Sequence, residues 1–225
     1  MIHISEPNRD FHMYVPAGIE YIEKELGDSL SDIYTQGYLP YSGSKNLRNI
    51  FYRARSARIR LKDFELSSEN RRIARKFDGA FTKTHIQGPP SVDALDFCLA
   101  YFKERHGPDA MPRERLEVIF AQVTNTTVYR KNDTIVGYVV SIEGETFGHY
   151  WYSFYDLSLA QQSLGMWLML DAIRSAKAQG KTHYYLGTVY GSKALYKANF
   201  EPLEWWDGTA WSSDVTSLRE RTRTD

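Results

Sequence analysis

YSFYDLSLAQQSLGMWLML, residues 152 to 170, carries an aromatic, alternating strand pattern into an apolar helix through a short polar turn. Tyr152, Ser153, Tyr155 and Asp156 close the strand, and Gly165 lies in the helix start. Alternation sets Tyr152 and Phe154 on one face and Ser153 and Tyr155 on the other. A strand-to-helix junction presents free N–H groups and the positive end of a helix dipole, which suit a phosphate or a developing oxyanion. It is equally an ordinary joint of α/β proteins, so the flanking sequence has to decide.

Upstream, TTVYRKNDTIVGYVVSIEGETFGHYWYSFY reads as three strands joined by hairpin turns at KND and EGE. Downstream, the helix is stopped by Gly180, followed by a short strand HYYLGT, a helix SKALYKANF and a last strand EPLEWW turning at Asp207-Gly208. SVDALDFCLAYFKERHG, with Val92, Leu95, Leu99 and Phe102 at helical spacing, and PRERLEVIFAQ, with Pro112 at its start, add two helices before the strands. The organisation expected is an α/β (α+β) unit over 91–211, a basic amino-terminal portion over 1–90, and a loose polar tail over 212–225. In the amino-terminal portion, Pro16 to Leu26 predicts a short amphipathic helix ending at Gly27. GYLPYSGS (37–44) reads as a loop, Arg53 to Arg60 as a strand with a basic face, and ENRRIARKF as a helix capped by Ser67 or Ser68.

The 225 residues, 42% hydrophobic and 25% charged with zero net charge, describe a globular chain of about one domain. No apolar run approaches membrane-spanning length and no secretory profile opens the chain, so a cytoplasmic location is expected. The single cysteine, Cys98, excludes an internal disulfide and a multi-cysteine metal site, and its place on an apolar helix reads as a buried structural thiol. His3, His12, His85, His106, His149 and His183 show no metal-ligand spacing, and His149 reads as structural. Between Lys45 and Lys76 eleven Lys or Arg face three acids, Asp63, Glu65 and Glu69. Such a run either follows a nucleic-acid backbone or forms a solvated face balanced elsewhere.

This order of elements resembles the GNAT acyltransferase fold, and SKALYKANF resembles its segment bearing a tyrosine near the leaving group, here Tyr196. QQSLGMW departs from the pyrophosphate loop of that fold: it has one glycine and no arginine, and bulky Met166 and Trp167 follow. A second resemblance, over residues 35 to 211, is closer. FYRARSARIRLKDFELSSENRRIARK resembles the basic strand and Ser-x-x-x-Arg-Arg helix of the arginyl-tRNA–protein transferase family, including its bacterial leucyl-transferring branch. WYSFYDLSLAQQSLGMWLMLDAI resembles the family's strand, aspartate and Leu-Gly helix, and HYYLGTVYGSKALYKANFEPLEWWDGTAW its carboxy-terminal segment. The amino-terminal cysteine cluster usual in the family is absent, and RARSARIRL holds no cysteine.

The resemblance implies transfer of an amino acid, arginine or leucine, from aminoacyl-tRNA to the N-terminal α-amine of a protein or peptide in an N-degron pathway. The acceptor would begin with Asp or Glu; no membrane, DNA, metal or cofactor other than the tRNA donor is expected. The catalytic candidates are Asp156, Tyr155 and Tyr196, with Asp156 equally placed to serve as an N-cap. Tyr152, Ser153, Gln162, Ser163, Leu164, Gly165 and Lys197 are the candidates for the aminoacyl group and tRNA terminus. Arg53, Arg55, Arg58, Arg60, Arg71 and Arg72 are those for tRNA or an acidic acceptor. An acyl-CoA-dependent N-acyltransferase and a non-catalytic RNA- or degron-binding relative are the alternatives.

Overall fold

The computed structural model describes residues 2–6, 19–43, 49–223 and 225. The amino-terminal part forms β1 (Ile2–Glu6), β2 (Ile19–Glu23), α1 (Leu30–Thr35), β3 (Tyr38–Pro40) and β4 (Ile50–Arg53), then β5 (Ser56–Arg60), α2 (Ser68–Phe77) and β6 (Thr82–Gln87). There follow α3 (Ala94–His106), α4 (Arg113–Phe120), β7 (Asn125–Lys131), β8 (Thr134–Glu143), β9 (Phe147–Tyr155) and α5 (Leu164–Ala178). The chain continues through β10 (His183–Thr188), β11 (Leu203–Trp206), β12 (Trp211–Ser212) and α6 (Val215–Arg223).

The strands build an eight-stranded sheet in the order β12-β11-β5-β10-β9-β8-β7-β6 and a four-stranded sheet in the order β1-β2-β4-β3. Within the large sheet only β9 and β10 run parallel, joined by α5; the other pairs are antiparallel. This is a mixed α/β, GNAT-like architecture: antiparallel strands, a helix, a parallel strand and a return. Strands from both sides of residue 91 share the sheet, with β5 between β10 and β11 and β6 on the outer edge of β7.

One face of the sheet packs against α2, α5 and α6, using Tyr150, Tyr155, Leu164, Trp167, Leu168, Ile173 and Leu218. The other packs against α3 and α4 through Phe154, Cys98, Leu116 and Phe120, and against α1 and the small sheet through Phe147, Tyr34 and Tyr185. Helix α5 forms because Leu164, Trp167, Leu168, Met169, Leu170, Ile173 and Ala176 can all be buried along it, and Gly180, at φ 76°, lets the chain leave it. Ser67 accepts from the Asn70 N–H and starts α2 as expected. Asn132 and Asp133 both take positive φ in the KND turn, the condition for a tight hairpin.

Three local expectations are corrected. The helix expected over 16–26 is instead β2 over its described part, because Tyr21 and Ile22 pair with β4 and bury against the small-sheet core. The loop over 37–44 contains β3, whose Tyr38 and Leu39 are buried. The tail includes α6, held by buried Leu218 and started by Asp214, which accepts from the Thr216 and Ser217 N–H groups. Among the described residues no helix is long and apolar enough to cross a membrane.

Candidate active site

β9 and β10 pair over three residues only, His183 to Tyr185 against Phe147 to His149. Beyond that point β9 continues along β8 while β10 continues along β5. The two parallel strands therefore part, and a fork opens between Tyr150–Tyr155 and Gly187–Thr188. The backbone groups along that fork have no ladder partner across it.

A register shift between Val140 and Ser141 inserts one extra residue in β9, Trp151. Simple alternation would separate Tyr150 from Ser153; the bulge brings Tyr150, Ser153 and Tyr155 to the α5 side. Tyr152 and Phe154 stack on the opposite side, with ring centroids 6.0 Å apart, as the alternation predicts. Tyr152 donates its hydroxyl to Ser42, 2.8 Å away, and so anchors the loop after β3, on the face away from Tyr155.

On the α5 side the hydroxyl of Tyr155 fits against Gly165: a Cβ there would lie 2.6 Å from it. The glycine thus makes room for a tyrosine, and the helix start is closed further by buried Leu164 and Trp167. Ser163 takes a left-handed conformation (φ 70°) before α5 and makes no side-chain cap bond. The side chain of Gln162 lies outside the described residues. Tyr101 of α3 packs on Tyr155 at 5.2 Å between ring centroids. The hydroxyl of Tyr150 is buried on the same side as Ser153, and burial raises its pKa above the ordinary tyrosine range.

The segment after β10 closes the fork. Tyr196 and Lys197 lie in a 3₁₀ turn, Ser192–Asn199. Tyr196 is 40% exposed, whereas the Lys197 ammonium points inward and donates to the Thr188 carbonyl at 2.6 Å. Gly187, at φ 81°, lies beside it: a Cβ there would sit 3.6 Å from Lys197 Nζ and 3.9 Å from His149 Nε2. Burial lowers the Lys197 pKa to about 8. Burial, and secondarily the Lys197 charge, lowers that of His149 to about 3, so its imidazole is neutral. The Tyr34 hydroxyl fixes that ring by a 2.8 Å hydrogen bond to Nδ1. An ammonium that titrates near 8 can donate a strong hydrogen bond or exchange a proton at physiological pH.

Asp156 is exposed, and its carboxylate accepts from the Ser158 N–H at 2.9 Å, capping the 3₁₀ turn Leu157–Gln162. The arginines do not form one patch. Arg53 pairs with Glu20 at 2.6 Å, and Arg55 pairs with Asp225 at 2.8 Å. Arg58 pairs with Glu204 at 2.7 Å and stacks over Trp211 at 4.0 Å. Arg60 pairs with Asp63 and Glu204. On α2, Arg72 pairs with Glu69, while Arg71 donates to the Leu66 carbonyl; both are exposed. Cys98 is buried in α3, with its thiol pKa pushed up by burial. Among the described residues no group of three His, Cys, Asp or Glu side chains could hold a metal ion.

Sequence reasoning missed Tyr150, Tyr101 and Tyr34, and read His149 as structural only. Each reaches the fork through a bulge or a distant helix, which spacing along one segment does not show. Glycine at 187 within a strand pattern was the available signal, since glycine there marks a bulge or a close backbone approach, and β10 does shift register between Tyr185 and Gly187.

A parallel strand pair forked open after an antiparallel meander, with an ammonium and a ring of tyrosines at the opening, defines an acyltransferase of the GNAT-like type. Comparison with known proteins makes this narrower. The profile of the family described as "Arginine-tRNA-protein transferase, C terminus" matches residues 93–207, and the chain belongs to that family. It is therefore an aminoacyl-tRNA–protein transferase, here without the amino-terminal cysteines, since its single cysteine is Cys98. Similar curated proteins include the aspartate/glutamate leucyltransferase of Sinorhizobium medicae, 26% identical over 96% of this chain and 97% of that one. That of Paracoccus denitrificans is 29% identical over 82% of this chain and 75% of its own. Among solved structures, L-PGS from Bacillus licheniformis aligns with 60% of this chain and 44% of its own, at TM-score 0.47 and 17% identity. FemX aligns with 71% and 59%, at TM-score 0.44 and 10% identity.

Proposed function

We propose that this enzyme moves leucine from leucyl-tRNA to the N-terminal α-amine of a protein or peptide that begins with Asp or Glu, within an N-degron pathway. Leucine rather than arginine, and the acidic acceptor, are supported by the names of the similar curated proteins. The observation that carries the catalytic reading is the inward-facing Lys197 ammonium at the β9/β10 fork, with a pKa lowered to about 8.

The ester of aminoacyl-tRNA is already activated. The neutral α-amine attacks the ester carbonyl carbon, a C–N bond forms, the ester C–O bond breaks, and the ribose oxygen leaves with a proton while the amine loses one. Charged Lys197, with the Tyr150 hydroxyl, donates to the oxyanion that develops on the carbonyl oxygen. Tyr196, at the mouth, donates to the departing ribose oxygen. Ser153 and Tyr155 line the aminoacyl pocket on the α5 side, and the start of α5 from Ser163 to Gly165 faces the tRNA terminus. Asp156 holds the amino group of the donor amino acid in addition to its capping bond. Exposed Arg71 and Arg72 on α2 meet the tRNA backbone, where each phosphate contact releases counterions. Positioning of two substrates supplies the rest of the rate.

The test charges tRNA with single labelled amino acids and follows label into peptides headed Asp, Glu, Arg or Ala. Ribonuclease-sensitive transfer of leucine to the acidic peptides is expected. Transfer that persists after ribonuclease treatment and requires an acyl-CoA would overturn the reading, as would tRNA binding with no transfer to any peptide.

A further inference from the structure

A carboxylate is seated beside the fork in a site made of side chain and backbone together. Arg55 Nη1 donates to both oxygens of the Asp225 side chain, at 2.9 and 2.8 Å. The Gly191 N–H donates to one of them at 2.8 Å. The guanidinium lies over the Tyr190 ring, 4.9 Å from its centroid, and the Tyr190 hydroxyl is itself fixed by the Arg55 N–H at 2.7 Å. The Asp225 side chain is only 4% exposed and that of Arg55 16%. These parts are otherwise backbone neighbours of the reaction centre. Val189 donates its N–H to the Arg55 carbonyl, and the Thr188 carbonyl receives Lys197, which puts the Arg55 carbonyl within about 8 Å of the Lys197 ammonium. Gly191 also opens the 3₁₀ turn that carries Tyr196 and Lys197.

We infer that Arg55, the Gly191 N–H and the Tyr190 ring form the subsite for the acidic side chain of the acceptor's first residue, and that Asp225 occupies it in cis as a competitor. The inference rests on the acidic-acceptor reading above. Arg55 is one of six arginines that the sequence offers without distinction; the others are engaged by acids or carbonyls of α2, β2, β11 and the loop before α2. Arg55 alone pairs with a carboxylate delivered from the far end of the chain, 170 residues away, onto a backbone donor next to the catalytic turn. Gly191 is three positions after Thr188, a span of at most about 11 Å. An acceptor carboxylate seated in place of Asp225 carries its own α-amine on the residue that bears it, on the side of the fork where Lys197 meets the ester. A neutral first residue either leaves Asp225 in the subsite or displaces it without replacing its bonds to Arg55 and the Gly191 N–H, which disfavours it. A tethered competitor acts at a high effective concentration, so it sets how strongly an acceptor must bind.

The experiment measures leucine transfer by the full chain to Asp-, Glu- and Ala-headed peptides in wild type, Asp225→Ala, Asp225→Asn and Arg55→Gln, with thermal melts of each. Both Asp225 variants are expected to lower the acceptor KM for acidic peptides, about tenfold for alanine, and to leave the Ala-headed peptide unchanged. Arg55→Gln is expected to raise KM for the acidic peptides alone. If Arg55→Gln does not fold, the two Asp225 variants decide the matter. Unchanged KM for acidic peptides in both, or an equal change for all three peptides, overturns the assignment and leaves Asp225 a structural tie. Should wild type transfer leucine to none of the peptides, the proposed reaction falls, and binding of a labelled Asp-headed peptide without tRNA judges the subsite separately. Tighter binding to Asp225→Ala, lost in Arg55→Gln, sustains it; equal binding to all forms overturns it.

Discussion

Replacing Lys197 by methionine should make the protein more stable and less active, and the two effects should have linked pH dependences. Burial lowers the Lys197 pKa from 10.5 to about 8, so the folded state disfavours the ammonium that the unfolded chain carries freely. Below about pH 8 both states are protonated and the penalty is present in full. From about 8 towards 10.5 the folded protein releases its proton first, the unfolded state holds more protons, and wild-type stability rises with pH. The shift corresponds to at most about 3–4 kcal/mol. The side chain is half-buried rather than sealed, and methionine forfeits the bond to the Thr188 carbonyl, so a net gain of about 1–2 kcal/mol at pH 7 is expected. Urea denaturation of both proteins at pH 7 and pH 10 measures it, and the difference should shrink at the higher pH. Activity moves oppositely: loss of an oxyanion donor lowers kcat by about 10²–10³-fold. Wild-type kcat/KM should follow a narrow bell, rising with the neutral fraction of an α-amine that titrates at about 7.7–8.0 and falling as Lys197 loses its proton near 8. Lys197→Arg should retain part of the activity and shift the falling limb beyond the measurable range. A Lys197→Met enzyme within threefold of wild-type kcat, or a stability gain that is the same at both pH values, refutes the reasoning.

Gly165→Ala should destabilise the protein by about 1–3 kcal/mol, because the new methyl meets the Tyr155 ring and hydroxyl; Tyr155→Phe in the same chain should recover part of that loss in thermal melts. Tyr34→Phe removes the partner of buried His149 Nδ1 and should cost about 1–3 kcal/mol by denaturant titration. Asp156→Asn keeps the bond to the Ser158 N–H while removing the charge, so it should hold wild-type stability and lower transfer; Asp156→Ala should also lose about 1 kcal/mol of stability, and equal activity of Asn and Asp at position 156 would remove the proposed amino-group role.

The strand-turn-helix from Tyr152 to Leu170, the hairpins before it and the order of elements after it were legible in the sequence, because local periodicity and turn chemistry act over few residues. Ser67 as a cap, the KND turn and the face shared by Tyr152 and Phe154 belong with them. Family membership was legible for the same reason, since several short motifs stood in order. Of the residues that the structure brings around the fork, the sequence reading names Ser153, Tyr155, Gly165, Tyr196 and Lys197, which lie on two short segments. Whether Tyr150 joins them depends on a bulge at Trp151, and a one-residue insertion moves every later side chain to the other face without a mark in composition. β2 was misread because Tyr21 and Ile22 find their partners in β4, about 30 residues on, and such pairing overrides local preference. The neutral His149 held by Tyr34 and the seating of Asp225 on Arg55 and Gly191 join segments 34 to 170 residues apart. Desolvation and long-range pairing exist only once the chain has closed on itself, so the sequence determined which elements form and in what order, and the tertiary structure alone decided which of their side chains share a site and in what charge state.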